Sequence, residues 1–205
     1  MNKRLIWNFE INDQPQLVLD SLPQGEKESI KWEARYFWPE DSIIILNGLD
    51  SSFLNLSNYE IKNRQDYYLL LSDYDYNIKQ RRDELQYKPL LQEIDNIRGY
   101  GKKIDLNLYT SNSLPAALHS TIGLLSQLQE KAIKLSVSKI ALLYRFQTTP
   151  AIKLELARLK VHEKIFFSVC IEGPSQLLVT QIAKYLLPDQ ISCDYVSFLR
   201  QLFTP

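Results

Sequence analysis

Ile30-Lys31-Trp32-Glu33-Ala34-Arg35-Tyr36-Phe37-Trp38 is the stretch whose reading decides the fold. As a strand it sends Lys31, Glu33 and Arg35 to one face and Ile30, Trp32, Ala34, Tyr36 and Trp38 to the other, because strand side chains alternate. One face is charged and the other apolar and aromatic. Residues 77–88, 139–147, 151–159 and 166–172 repeat the pattern. The chain is therefore expected to build a sheet surface of facing charges backed by an apolar surface, the kind of wall from which an anion-binding cavity is made. An ordinary half-exposed sheet gives the same local alternation.

Around that stretch, residues 1–28 carry Pro15, Pro23 and Gly25 among polar residues and read as an irregular N-terminal arm; residues 29–205 read as one domain. Further strands are predicted over 42–46, 59–64, 67–71 and 78–85, with Lys88-Pro89 ending this half because proline cannot donate to a central ladder. Gly99-Tyr100-Gly101 before Lys102-Lys103 reads as a turn; it lacks the spacing and the Ser/Thr of a phosphate loop. The period then changes. Leu118, Ile122, Leu125 and Leu128 share one helical face, with Ser113 as cap and Pro115 in the first turn, and that face is expected to pack on the sheet. Residues 139–172 return to strand periodicity, and 175–187 and 192–203 read as helices divided by Pro188.

Composition bounds the function. Twenty-four basic residues cancel 24 acidic ones, so no global field draws the chain to nucleic acid or an anionic membrane, and any polyanion site must arise from local arrangement. No stretch reaches membrane-span length. Two cysteines, Cys170 and Cys193, without a Cys-x-x-Cys, read as reduced thiols of a cytoplasmic protein. Only two histidines, His119 and His162, argue against a histidine-rich zinc site.

Lys79 and Arg81 share a strand face and Lys88 follows one strand-length later. Arginine offers phosphate a planar fork and lysine a mobile point charge, so this set suits a phosphorylated ligand; it would also serve as a solvated basic edge. Glu33, Glu155 and Glu172 each point to the polar side of a predicted strand, where carboxylates can hold a hard cation such as Mg²⁺ or Mn²⁺, or can simply pair with nearby lysine or arginine.

Taken in order, Glu33-Ala34-Arg35, Tyr67-Tyr68-Leu69-Leu70, Asn77-Ile78-Lys79-Gln80-Arg81-Arg82 with Leu85-Gln86-Tyr87-Lys88, Lys153-Leu154-Glu155-Leu156 and Phe167-Ser168-Val169-Cys170-Ile171-Glu172-Gly173 resemble the CYTH family, the triphosphate tunnel metalloenzymes, over nearly the whole chain from Ile30. Residues 192–199 resemble the serine-tyrosine helix start that follows the family's barrel. The resemblance implies an α+β protein, an antiparallel β-barrel forming a charged tunnel with flanking helices. It also implies triphosphate-bearing ligands and Mg²⁺ or Mn²⁺ held by glutamates.

The chain departs from the family pattern at the metal side. Lys31 stands at the first glutamate of the Glu-x-Glu-x-Lys signature, with Glu33 at the second and Arg35 at the lysine, and Cys170 replaces the first glutamate of the late Glu-x-Glu, leaving Glu172. The resemblance thus implies phosphate contacts from Lys31, Arg35, Lys79, Arg81, Lys88, Arg145 and Lys153, and a weakened metal set of Glu33, Glu155 and Glu172. The expected function is binding of a triphosphate or other polyphosphate-type anion in the tunnel, with weakened or lost catalysis. The alternative is a metal-dependent phosphohydrolase acting on inorganic or nucleoside triphosphate. Such a phosphoryl transfer needs positioning and charge neutralisation and no protein nucleophile. A phosphorylated small molecule or polyphosphate is the expected partner, and neither nucleic acid nor membrane is.

Overall fold

The computed structural model describes residues 2–118 and 120–203; His119 lies outside them. Strands β1 (Lys3–Ile6), β2 (Phe9–Asn12), β3 (Lys31–Pro39), β4 (Ile44–Asn47), β5 (Glu60–Leu70), β6 (Asn77–Arg81), β7 (Glu84–Lys88), β8 (Leu90–Ile94), β9 (Ile97–Tyr100) and β10 (Ile104–Asp105) precede helix α1 (Thr121–Lys131). The chain continues through β11 (Ile133–Arg145), β12 (Lys153–Val161), β13 (Lys164–Gly173), α2 (Gln176–Leu186) and α3 (Tyr195–Phe203).

Ten strands form one antiparallel sheet in the order β10-β7-β6-β5-β11-β12-β13-β3-β9-β8. It curls into a half-barrel flanked by helices, an α+β fold. The sequence leads one to expect a closed barrel, but the hydrogen-bonded ladder does not run all the way round. Its open edges are β10 and β8. The chain passes directly from β7 to β8, which sit near opposite ends of the strand order, and proline has no N–H with which to continue a ladder through the bend. The Gly101 N–H donates to the Pro89 carbonyl at 3.0 Å, holding the β9–β10 connection beside that bend. Gly99 lies directly opposite Trp32 in the β3–β9 register, and a Cβ there would stand 3.0 Å from the indole ring. A side chain would push β9 off β3.

The two faces of the curled sheet are packed differently. On the outside, Trp32, Ala34, Tyr36, Leu154, Leu156, Val169 and Ile171 form a core with α2 residues Leu178, Val179, Ile182, Ala183 and Leu186. A second, three-stranded sheet, β1-β2-β4, adds Phe9, Ile11, Ile44 and Leu46 to that core. The N-terminal arm is thus more regular than its prolines suggest: β1 pairs antiparallel with β2, and β2 parallel with β4. On the inside, each long strand changes character along its length. β12 runs Lys153, Glu155, then Ala157, Leu159 and Val161 on the same face, and α3 packs Tyr195, Val196, Phe198 and Leu199 against the apolar end. The charged end is left to line a cavity.

Three local expectations change. The two strands expected over 59–64 and 67–71 are one, β5 (Glu60–Leu70), with Asp66 buried in its middle. Residues 78–85 divide into β6 and β7, a hairpin whose two-residue turn places Arg82 at φ 54°. The helix expected from Ser113 starts only at Thr121, capped by Ser120, whose Oγ accepts from the Gly123 N–H at 3.1 Å. Its buried face is Thr121, Leu124 and Leu128, with Leu118 and Ile122 exposed, so the spacing identifies a helix but misplaces its start and its inward face. No helix among the described residues is long and apolar enough to cross a membrane.

Candidate functional site

The charged end of the half-barrel encloses a cavity of about 420 Å³. All ten residues singled out from the sequence line it: Lys31, Glu33, Arg35, Lys79, Arg81, Lys88, Arg145, Lys153, Glu155 and Glu172. Register brings them together. Glu33 faces Glu172 across β3–β13, Glu172 faces Lys153 across β13–β12, Lys153 faces Arg145 across β12–β11, and Lys139 faces Arg64 across β11–β5. Five lining cations are not among the ten: Lys62, Arg64, Lys102, Lys103 and Lys139. Half of the chain's 24 basic residues therefore line one cavity, against only four of its 24 acidic ones, Glu33, Glu60, Glu155 and Glu172. A chain of zero net charge has concentrated positive charge in one place.

The deepest part is an ion-paired triad. Glu155 Oε1 accepts from Arg35 Nη1 at 3.0 Å, and both its oxygens accept from Lys139 Nζ, at 2.9 and 3.0 Å. All three side chains are under 10% exposed. Burial alone would raise the Glu155 pKa, but Lys139 and Arg35 hold it well below the carboxylate range, while Glu155 and Tyr195 raise Lys139 against its own burial and the repulsion of Arg35. Arg35 is pinned from behind by the entrance to α3: its N–H donates to Ser192 Oγ at 3.1 Å, and its carbonyl accepts from the Cys193 N–H at 2.7 Å. Its guanidinium lies 4.7 Å from the centre of the Tyr195 ring. The serine-tyrosine helix start thus buttresses the floor of the cavity.

A second group centres on buried Asp66, which accepts from Lys79 Nζ at 2.9 Å and from Arg81 at 2.5 and 2.7 Å. Burial would raise the Asp66 pKa; Arg81 and Lys79 bring it down to about 2. Lys79 behaves oppositely. Burial, reinforced by Arg81 and Lys139, outweighs Asp66 and lowers its pKa to about 7. Its folded pKa thus lies below the reference 10.5, so between about pH 7 and 10.5 the folded chain binds fewer protons here than the unfolded chain. The contribution to stability consequently rises with pH across that window and is lost as pH falls toward 7. Unfolding followed across this range should show the parent gaining stability more steeply than Lys79→Met; equal slopes would remove Lys79 as the titrating group.

The third group is acidic. Glu33 pairs with Lys88, lies 3.9 Å from Lys31 and 4.0 Å from Arg35, and is held at about 2: burial pushes its pKa up, and Lys88, Arg35 and Lys31 together outweigh burial. Glu172 contacts Lys31 Nζ at 2.7 Å. Glu33, Glu172 and the buried Cys170 offer ligand atoms within 4.8 Å of one another and could hold a metal ion. Glu155 does not belong to that cluster, being committed to Arg35 and Lys139. The donor set fits a divalent cation poorly. Both carboxylates already carry ammonium partners, and Cys170 is fully buried, its thiol pKa pushed well above the usual by burial.

Among the described residues, Arg64, Lys102, Lys103, Arg145 and Lys153 line the cavity with no carboxylate within 4.0 Å. Burial, together with neighbouring cations, lowers the pKa of Lys103 and Lys153. These cations repel one another, which a negatively charged guest would relieve.

No family model matches the chain, and no curated protein matches it. The chain has a distant structural match to an inferred adenylate cyclase from Bacillus halodurans. The identity is 11% and the TM-score 0.44, over 86% of this chain and 100% of that one.

Proposed function

We propose that the cavity binds a linear polyphosphate-type anion, a triphosphate or the triphosphate end of a small molecule, and does so without needing a divalent metal. The observation that carries this reading is the charge inventory: twelve lysine and arginine side chains against four glutamates, the deep glutamates already neutralised inside the protein and five cations without a carboxylate partner. A compact polyanion answers such a site better than a single phosphate, because it reaches several of the spread-out cations at once. The volume lies within the roughly 300–1,000 Å³ of small-molecule sites. Arg35, Lys79, Arg81 and Lys88 shape and polarise the walls through their internal pairs; among the described residues Arg145 and Lys153 are the sequence-derived contacts with no carboxylate within 4.0 Å, and Lys31 is paired but half-exposed.

Tripolyphosphate in the presence of EDTA should therefore raise the thermal midpoint. A ligand at 100 times its Kd adds about 2.7 kcal/mol, or roughly 5–11 °C for a chain of this size. Sulfate at matched ionic strength should do far less. A midpoint indifferent to tripolyphosphate would overturn the proposal. A second reading, metal-dependent triphosphate hydrolysis, is favoured by the Glu33, Cys170 and Glu172 cluster alone. Mn²⁺-dependent release of phosphate from tripolyphosphate, abolished by Glu172→Ala, is the result that would shift the preference to it.

A further inference from the structure

Glu33 and Glu172 are direct cross-strand partners, and like charges so placed destabilise a sheet unless a cation intervenes. The chain supplies that cation from within β3. Lys31 is two residues before Glu33, so it emerges on the same face, and its flexible four-carbon stem carries a compact charge into the acidic pair. Its Nζ stands 2.7 Å from Glu172 and 3.9 Å from Glu33. A divalent ion bridging the two carboxylates would need the space this ammonium holds, and would also have to compete with Lys88 for Glu33.

Lys31 is not spent in making these contacts. An ammonium has three donors, one of which is directed at Glu172, and the side chain remains 46% exposed while lining the cavity. On the other side of Glu172, its β12 partner Lys153 has no carboxylate within 4.0 Å among the described residues. The acidic pair is therefore a socket with the Lys31 ammonium within reach of both carboxylates, Lys88 on Glu33, and Lys153 facing Glu172 across the strand.

We propose that Lys31 is a tethered substitute for a divalent cation, held by Glu33 and Glu172 as a metal would be and offering its remaining donors to the phosphate oxygens of the guest. This rests on the polyphosphate reading above and fixes its metal dependence. A true metal site gains anion affinity when the ion is added. Here a divalent ion finds no vacancy and, by chelating the free polyphosphate, leaves less of it for the protein.

The test is calorimetry on the full chain. Mn²⁺ alone is titrated into the parent, Lys31→Ala and Lys31→Gln, and tripolyphosphate is then titrated into each with EDTA or with Mn²⁺. The parent should show no Mn²⁺ binding at the cluster, and its tripolyphosphate affinity should be unchanged or lowered by Mn²⁺. The Lys31 variants should lose roughly tenfold in tripolyphosphate affinity in EDTA, one contact's worth, acquire Mn²⁺ binding that Glu172→Ala abolishes, and recover anion affinity when Mn²⁺ is present. Parent binding of Mn²⁺ that disappears in Glu172→Ala would overturn the substitution, as would tripolyphosphate affinity that rises with Mn²⁺. If tripolyphosphate binds none of the proteins, the polyphosphate reading fails, while the phosphate-free Mn²⁺ titrations still decide whether Lys31 holds the metal's place. The parent titration decides this even if neither Lys31 variant folds.

Discussion

Glu155→Ala is expected to lower the stability of the ligand-free protein by about 3–5 kcal/mol, the cost of removing one member of a buried ionic group, which strips Lys139 of its carboxylate and leaves Arg35 with Glu33 alone, at 4.0 Å. Arg35 and Lys139 would remain under 10% exposed, beside Tyr195, with no carboxylate between them. Set against a total stability of roughly 5–15 kcal/mol, this is among the most damaging single changes the chain can suffer. The loss is distinctive because it should depend on ligand. A polyphosphate entering the same cavity brings negative charge to Lys139 and Arg35, so tripolyphosphate should raise the urea midpoint of Glu155→Ala by more than it raises that of the parent. Glu60→Ala, which removes a carboxylate paired with Lys62 at the exposed rim, should change the midpoint little. Urea unfolding with and without tripolyphosphate reads both effects; a Glu155→Ala midpoint equal to the parent's would show that the triad is not a buried unit.

What was legible in the sequence followed from strict alternation. Residues 30–38 and 166–172 keep charged and apolar side chains in phase, so Lys31, Glu33, Arg35 and Glu172 could be placed on one face before any register was known. β5 alternates just as strictly through Glu60, Lys62, Arg64, Asp66 and Tyr68, yet its middle reads as a break because a buried aspartate is improbable until its partners are seen. Those partners, Lys79 and Arg81, lie on the next strand and satisfy it only after pairing. Splitting the strand at Asp66 concealed Arg64 and Lys62. Gly99 and Tyr100, expected in a turn, belong to β9, and Lys102 and Lys103 lie on the short β9–β10 connection, which the Gly101–Pro89 hydrogen bond holds beside the bend. The ammonium within the acidic pair was visible as a substitution at position 31; that it fills the space between two carboxylates is a fact of cross-strand register.

Substituting the cations that have no partner should separate binding from stability, and with opposite signs. Among the described residues, Arg64, Arg145 and Lys153 line the cavity with no carboxylate within 4.0 Å, so the ligand-free protein gains little from their charge, chiefly the attraction of Glu172 for Lys153, and bears their repulsion. Each should form one or more charge-assisted hydrogen bonds to a bound phosphate, contributing about 1.5–3 kcal/mol. Arg64→Gln, Arg145→Gln and Lys153→Gln should therefore each lower tripolyphosphate affinity roughly tenfold or more, and the triple variant by about a thousandfold. The ligand-free thermal midpoint of the triple variant should stay level or rise, since relieved repulsion is its main structural effect. Glu155→Ala should do the reverse: it weakens the fold while leaving these ligand-facing cations in place. Calorimetric titration of tripolyphosphate beside thermal unfolding of the same samples makes the comparison. A triple variant that binds like the parent would mean that the guest's charge is met by the internally paired cations instead, and a triple variant that unfolds in the absence of ligand would mean that these residues hold the sheet together rather than waiting for an anion.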